Sequence, residues 1–254
     1  STLGAKNYLV EFHKAGLAAD TAANTAGSID TTSTSVNTTS GFAISKFTGT
    51  GANATIGHGL SSKPEWIIHK DNGANQGTCY HVGSAATKYL LINNTQAATT
   101  NSSVWNDTEP TSSLISMGTS AGVNNSSEMM SYAWHTVDGY SSFGAYEGNG
   151  NANGPFISMG MSPNHVFHKC IDSAGKNWTS LSRTIEPSNP AVLQFQFDLT
   201  AIPAGSTGVD LLSNGDKILT TSGNLNDAVT YIYGAWGGRP IQGNGTDTSQ
   251  GRAK

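Results

Sequence analysis

The chain has 254 residues, which is enough to bury a core as one large domain or as two small ones. Charged residues make up 12% of the sequence and the formal net charge is −4. Aromatic residues are spread along its whole length. This composition excludes a disordered chain, since disordered chains combine high net charge with few aromatics.

The same composition bears on partners. The 13 Lys and Arg residues are not clustered, so we expect no nucleic-acid partner. No apolar run approaches the roughly 20 residues that a membrane-spanning helix needs, so we expect no membrane insertion. A neutral surface rich in hydroxyl and amide groups, over short β-branched runs, is typical of a β protein outside the cell or on a particle surface.

Residues 1–40 are interpreted as an N-terminal strand followed by a linker. The stretch Tyr8 to His13 alternates with the period of a strand, and it places Tyr8, Val10 and Phe12 on one face. Such a strand exposes an apolar row and unpaired backbone groups unless it joins a sheet edge. We therefore predict an assembly strand, which pairs with an edge of its own chain or of another subunit. Residues 21–40 are almost wholly Ala, Thr, Ser, Asn and Gly, which indicates a linker or a loop that follows the surface.

The rest of the chain uses one pattern twice, at residues 41–138 and 139–241, followed by a polar tail at residues 242–254. In each copy a Gly-x-Gly turn precedes a proline, and the proline precedes an apolar run that ends in His-Lys. The spacing of about 100 residues is too long for a solenoid repeat, so it repeats a domain-sized unit. The equivalent runs end at His69-Lys70 and His168-Lys169.

Short apolar and β-branched runs, separated by Gly and Asn turn signals, predict strands through both repeats. No stretch sustains the apolar period of a helix. The predicted fold is all-β, with two tandem β-sandwich-like repeats and an extra N-terminal strand. The predicted strands are Phe42–Phe47, Thr55–Gly57, Glu65–Lys70, Thr78–Val82, Tyr89–Asn93, Ser113–Met117 and Met129–His135 in the first repeat, and Ser141–Tyr146, Phe156–Met159, Asn164–Cys170, Trp178–Leu181, Val192–Phe197, Gly208–Leu212, Lys217–Thr220 and Val229–Trp236 in the second.

Two tryptophans are candidate binding residues. Trp105 and Trp178 lie in polar surroundings, which suggests exposed rings that stack on sugars or on a neighbouring subunit. The alternative is that each ring folds back onto its own sandwich. In the closing strand of the first repeat, Tyr132 and Trp134 share a face and are interpreted as core.

Motifs for catalysis and metal binding fail on their context, so we expect no catalytic residue, metal or cofactor. Ser120 lies in a G-x-S-x-G pattern, but the residues after it have no helical character, whereas a nucleophile elbow requires a helix there. Asn149, Asn151 and Asn153 have the spacing of a calcium loop but lack its carboxylates, which favours a turn. The equivalent histidines are expected to have a structural role, such as bonding a neighbouring carbonyl.

The two cysteines, Cys79 and Cys170, do not occupy equivalent places in the repeats. We expect two free, half-buried thiols, with a disulfide as the alternative.

The run from Gly139 to Gly150, together with Gly154-Pro155-Phe156 and the segment from Tyr231 to Trp236, resembles a repeated β domain of tailed-bacteriophage structural proteins. Such domains are common in marine phages and often labelled tail-fibre or virion proteins. The resemblance covers about Gly41 to the C-terminus.

The resemblance implies a non-enzymatic structural protein of the virion surface, in a tail fibre, a tail or a capsid decoration. The implied partners are further copies of the chain in a homo-oligomer and other virion proteins, with a host-surface glycan or receptor as a further contact. The alternative function is an extracellular domain that binds or cleaves carbohydrate, because sandwiches serve both functions.

Overall fold

The computed structural model describes residues 13–16, 22–73, 75–198 and 208–238, and these form an almost wholly β structure, as predicted. In the described residues no helix is long and apolar enough to cross a membrane. The elements up to the first closing strand are β1 (Ser33–Asn37), β2 (Phe42–Thr48), β3 (Ala54–Gly57), β4 (Trp66–Asp71), β5 (Thr78–His81), β6 (Lys88–Leu91), β7 (Thr99–Thr100), α1 (Ser102–Trp105), β8 (Leu114–Met117), α2 (Ala121–Asn124) and β9 (Glu128–Trp134).

In the described residues of the second half, the elements that repeat this plan are all strands. Its elements are β10 (Ser141–Glu147), β11 (Phe156–Ser158), β12 (Ser162–Cys170), β13 (Thr179–Ser182), β14 (Phe195–Gln196), β15 (Val209–Leu211), β16 (Gly215–Ile218) and β17 (Thr230–Gly238). Each strand predicted within the two repeats overlaps one of the observed strands.

The strands of the described residues form four antiparallel sheets. A seven-stranded sheet has the order β1-β2-β9-β4-β5-β6-β7, and a five-stranded sheet has the order β10-β17-β12-β13-β14. A two-stranded sheet, β3-β8, belongs to the first repeat, and a three-stranded sheet, β11-β16-β15, belongs to the second.

The two large sheets share their central order and their register. Trp66 of β4 pairs with Trp134 of β9, and His165 of β12 pairs with Trp236 of β17. The predicted equivalence of the two runs that end in His-Lys is therefore confirmed. Since side chains alternate between the faces of a strand, equal register sends equivalent residues to equivalent faces.

A buried asparagine holds the Gly-x-Gly turn of each repeat. The Asn124 side chain accepts from the amide of Thr50 at 2.8 Å and donates to the carbonyl of Gly118 at 3.0 Å. Asn226 accepts from the amide of Asn149 at 2.8 Å in the same manner. Both asparagines are fully buried, and each also donates to a buried backbone carbonyl, that of Gly118 or Thr220.

An aromatic core joins the two large sheets face to face. Trp66 contributes from the first repeat, and its ring centroid lies 4.6 Å from that of Phe167 and 5.7 Å from that of Trp236. A side chain of the first repeat also meets the backbone of the second, because His81 Nε2 lies 3.0 Å from the Tyr233 carbonyl. The repeats therefore share a core, and neither buries this face by itself.

Each large sheet buries its other face under its own small sheet. In the first repeat, Phe47, Ile67 and Ala133 pack against Ile56 and Ile115 of the β3-β8 sheet. In the second repeat the β11-β16-β15 sheet covers the corresponding face, with Val166, Leu181, Ala235, Ile157, Val209 and Ile218 in its core. The molecule is thus a stack of four β layers.

The linker prediction is wrong for part of residues 21–40. Ser33–Asn37 forms β1, which pairs with β2 along its whole length. Ala22 forms a bridge to Thr34, and Ile29 donates to the Thr55 carbonyl, so this segment lies along the first repeat. The strand was not predicted because these residues lack an alternation of apolar side chains. It forms because β2 provides partners for its backbone hydrogen bonds.

Candidate functional site

Three rows of side chains cross the face of β2, β9 and β4 that is turned toward the second repeat. The register of these strands places one residue of each strand in each row. Because successive side chains alternate, the three rows share one face of the sheet. The rows are Phe42–Trp134–Trp66, Ile44–Tyr132–Ile68 and Lys46–Met130–Lys70.

The first row is a buried aromatic stack. Trp134 lies between Phe42 and Trp66, with ring centroids 4.6 Å apart on both sides and interplanar angles of 19° and 24°. The second repeat covers this row, since Trp134 also contacts Trp236 at 6.3 Å. Stacked rings of this kind hold the side chains of the next row in a fixed position.

The second row is only partly covered. Ile68 and Tyr132, together with Ile92, Asn93 and the backbone of Gly77, line a shallow cleft of about 390 Å³, which we call the apolar cleft. Tyr132 lies over Trp134 with an interplanar angle of 19°. At Gly77 an added Cβ would lie 2.8 Å from the Ile92 side chain, so the absence of a side chain at Gly77 allows these two residues of the cleft wall to lie in contact.

In the third row a lysine lies on each side of Met130. Lys46 lies 2.6 Å from Glu128, and Lys70 lies 2.9 Å from Asp71. Burial opposes ionisation of Asp71, but the hydrogen bonds from Lys70 and Asn75 outweigh it, so the pKa of this carboxyl group is lowered. The hydrogen bond from Lys46 lowers the pKa of Glu128. Of these paired charges, Lys70 lines the apolar cleft.

The face can thus bind a flat apolar or aromatic group beside a polar one. Tyr132 offers a ring face, Ile68 and Ile92 offer aliphatic contacts, and Asn93 offers an amide at the border. An apolar centre with a polar rim is the arrangement found in protein–protein interfaces and in sugar sites.

The expected exposure of Trp105 and Trp178 is wrong. Trp105 is 2% exposed and packs edge-on against His69, with centroids 5.2 Å apart. Trp178 is fully buried, and its Nε1 donates to the Leu91 carbonyl at 2.9 Å, which crosses from one repeat to the other. Both rings fold back onto the β layers. The hypothesis of a binding surface at these residues required exposed rings, and these rings are buried.

The predicted assembly strand lies outside the described residues for Tyr8, Val10 and Phe12. His13, the last residue of that stretch, is described. Its ring lies 4.9 Å from the ring of Trp236 and 5.7 Å from that of Trp134. The chain therefore reaches the aromatic core at His13.

The equivalent histidines have structural roles, as expected, but with different partners. His69 lies 3.2 Å from the Val123 carbonyl, and burial lowers its pKa to about 4 although this hydrogen bond opposes the shift. His168 Nε2 lies 3.0 Å from Asp216 Oδ2, and both side chains are fully buried. This pair has ion-pair distance without hydrogen-bond geometry.

The motifs rejected from the sequence form local structure. Ser120 caps α2, so the expectation of no helix after it is wrong, although α2 has only four residues. Asn149 and Asn151 each accept from the amide two residues on, at 2.9 Å, which confirms the turn. In the described part of the chain, no group of three or more His, Cys, Asp or Glu residues has the geometry of a metal site.

Both cysteines are free. Cys79 and Cys170 are fully buried, more deeply than the half-buried state that we expected. Burial raises the pKa of the Cys79 thiol, because an apolar surrounding disfavours the thiolate.

Sequence analysis missed the apolar cleft. The alternation around Tyr132 correctly placed it on the same face as Trp134, but the structure buries only the tryptophan. Ile44 and Ile68 join Tyr132 from strands far apart in the sequence, and only the sheet order brings them into one row.

Comparison with known proteins gives a family without a described activity. Neither the curated proteins nor the solved structures include a match to this chain. Residues 5–240 match the family described as a domain of unknown function, DUF7483. The match takes in both repeats, and the chain belongs to this family.

Proposed function

We propose that the chain is a non-enzymatic structural component of a bacteriophage virion surface, in a tail fibre, a tail or a capsid decoration. It binds further copies of itself or other virion proteins, and through the particle it contacts the host surface. The observation that carries this proposal is the apolar cleft, in which Ile68, Ile92 and Tyr132 are partly exposed on a rigid sheet. The resemblance of the sequence to phage structural domains supplies the setting.

The cleft suits assembly for physical reasons. Its centre is apolar, and burying Tyr132 against a partner removes apolar surface from water. The charged residue of its lining, Lys70, is paired with Asp71, so a partner need not neutralise a lone buried charge. A rigid aromatic stack below the cleft limits the entropy that binding costs.

The experiment has two arms. Antibodies against the purified chain should label the surface of intact virus particles in electron microscopy. In light scattering, Tyr132→Ser should reduce self-association or binding to particles by at least about tenfold, because it removes the central ring of the cleft. Val192→Ser is the matched control, since Val192 is an exposed apolar residue outside the cleft.

Two results would contradict the proposal. One is the absence of the chain from purified particles. The other is hydrolysis of host polysaccharide by the purified chain, abolished by a single carboxylate substitution.

A carbohydrate-binding role is the second candidate function. The observation that favours it is the exposed face of Tyr132 beside the Asn93 amide and the Lys70 ammonium group, which could stack on a sugar ring and bond its hydroxyls. Nuclear magnetic resonance titration with host oligosaccharides would test it. Shifts confined to the cleft and lost in Tyr132→Ala support this candidate, and unchanged spectra reject it.

A further inference from the structure

The two repeats contain equivalent edge strands that differ in what covers them. In the first repeat β3 pairs with β8, with Ile56 opposite Ile115. In the second repeat β11 pairs with β16, with Ile157 opposite Asp216. Each of these strands has a single neighbouring strand in its sheet, so each has a second side that presents backbone groups.

In the first repeat a short segment with bends at residues 26–29 covers that second side at Thr55. The amide of Ile29 donates to the Thr55 carbonyl at 3.0 Å, and the amide of Thr55 donates to the Ser28 hydroxyl at 2.8 Å. The Ser28 amide donates in turn to the Thr55 hydroxyl at 2.9 Å. A Cβ added to Gly27 would lie 2.4 Å from the Thr55 carbonyl oxygen, so this close approach requires glycine.

In the second repeat the residue equivalent to Thr55 is Phe156. Hydrogen bonds toward β16 come from alternate residues in and beside β11. The Pro155 carbonyl accepts from the Ile218 amide at 3.0 Å, and the Met159 amide donates to the Asn214 carbonyl at 3.0 Å. The amide and carbonyl groups of Phe156 and Ser158 therefore point away from β16. In the ranges that the structure describes, no segment pairs with that side of β11.

The surface at this edge is also apolar. The Phe156 side chain is 45% exposed, and Leu219 is exposed on the same face, diagonally beyond the residue that pairs with Phe156. Ser158 is exposed as well, so approach to the edge is open on the described surface. In the first repeat the covering segment also carries an apolar residue, Ile29, which packs against the core.

We propose that the β11 edge, defined by Phe156 and Ser158, docks an extended segment of another polypeptide chain. The segment makes the bonds to the strand backbone that Gly27–Ile29 makes to β3, without the bond to the Thr55 hydroxyl, and it has a small residue, then a Ser or Thr, then an apolar residue. Its backbone amide donates to the Phe156 carbonyl, and its hydroxyl or carbonyl accepts from the Phe156 amide. Its apolar side chain packs on Phe156 and Leu219. Strand addition of this kind takes most of its affinity from main-chain hydrogen bonds.

The inference deepens the proposed assembly function and rests on it for the source of the segment, which is another chain of the same particle. It is a second interface, because the edge lies on the outer sheet of the second repeat and the apolar cleft lies on the first. Absence of the chain from virus particles would contradict the proposed function, whereas the test below measures the edge alone.

The test uses the full chain labelled with ¹⁵N and a synthetic peptide of residues 25–31, Thr-Ala-Gly-Ser-Ile-Asp-Thr. In the free protein the amides of Phe156 and Ser158 should exchange with solvent much faster than that of Ile157, which bonds to β16. The peptide at about 5 mM should shift the Phe156 and Ser158 resonances and slow their exchange. A peptide with Ile29→Pro lacks the donating amide and should bind about fivefold more weakly.

A protein variant separates edge pairing from general contact. Phe156→Pro removes the amide that donates to the docked segment and that points away from β16, so the sheet keeps its own bonds while peptide binding is lost. Phe156→Leu is the matched control, because it keeps this amide and an apolar side chain, and it should bind nearly as the wild type does.

The outcomes are decisive in each arm. Peptide shifts at β11 support the proposal, and so do concentration-dependent shifts of the same amides without peptide, which identify a second copy as the source. Slow exchange of Phe156 and Ser158 in the free monomer would overturn it, since the chain would then cover its own edge. Unchanged spectra at the highest peptide concentration would also overturn it.

Discussion

Replacing Asn226 by alanine should destabilise the protein far more than replacing an exposed residue of the same turn. The Asn226 side chain donates to the carbonyls of Thr220 and Asn151, at 2.7 Å each, and to the side chain of Asn149 at 3.2 Å. It also accepts from the amide of Asn149 at 2.8 Å. Alanine removes all four bonds and leaves backbone groups without a partner at a fully buried site.

The magnitude follows from the hydrogen bonds. Each net bond contributes about 0.5–1.5 kcal/mol, and an unsatisfied buried group costs about 1–3 kcal/mol. Because some of the freed groups near the turn regain water, we expect a loss of about 3 kcal/mol in the free energy of unfolding. For a protein of this size the loss corresponds to a fall of roughly 6–12 °C in Tm.

The assay is urea denaturation followed by tryptophan fluorescence, with thermal melts in parallel. Asn151→Ala is the control in the same turn, because its side chain accepts one exposed bond, from the amide of Asn153. The control should lose less than about 1 kcal/mol. Asn124→Ala should lose as much as Asn226→Ala, since Asn124 holds the equivalent turn. If either buried variant stayed within the error of the control, the reasoning would be refuted.

Three further predictions concern buried groups. Burial lowers the pKa of His69 to about 4 and of His81 to about 3, so the unfolded chain binds protons first as pH falls below 6.5. Stability should therefore be complete above pH 6.5 and decline toward pH 4, by up to about 1.4 kcal/mol per pH unit for each histidine. Trp178→Phe should cost about 2 kcal/mol, because the Leu91 carbonyl loses its donor, and unfolding should remain a single transition. The thiols of Cys79 and Cys170 should react with a thiol reagent only after unfolding.

Each of these predictions has a clear contrary result. A urea midpoint that is constant from pH 6.5 to pH 4 would contradict the histidine argument, and His69→Gln should reduce the slope if the argument holds. Two separate transitions in Trp178→Phe would show that the repeats unfold independently. Rapid labelling of either native thiol would show that its site opens readily.

The strands were predictable because their signals are local. The closing strand β9 alternates large and small residues, and Gly or Asn ends most of the predicted runs, so each element could be located without knowledge of its neighbours. The strand β1 was missed for the opposite reason. Its sequence, Ser-Thr-Ser-Val-Asn, buries only Thr34, and its conformation depends on the partner strand β2.

The sites were less predictable because exposure is a property of the assembled layers. Trp105 is surrounded by polar residues in the sequence, yet Asn101 caps a four-residue helix that turns the ring inward against His69. Tyr132 shows the reverse, since it reads as core but lies where the second repeat no longer covers the sheet. In both cases the deciding neighbour is distant in sequence.

The aromatic core between the repeats has a consequence for how such a chain arises. Trp134 and Trp236 occupy the same place in the two repeats and contact each other, as matching residues do near the axis of a symmetric dimer. A single ancestral repeat would expose this aromatic face to water, and a second copy of the same repeat would bury it by dimerisation. Fusion of two such copies makes their encounter intramolecular and independent of concentration. One copy is then free to diverge, which fits the replacement of Tyr132 by Gly234 and of Trp66 by His165 at equivalent positions.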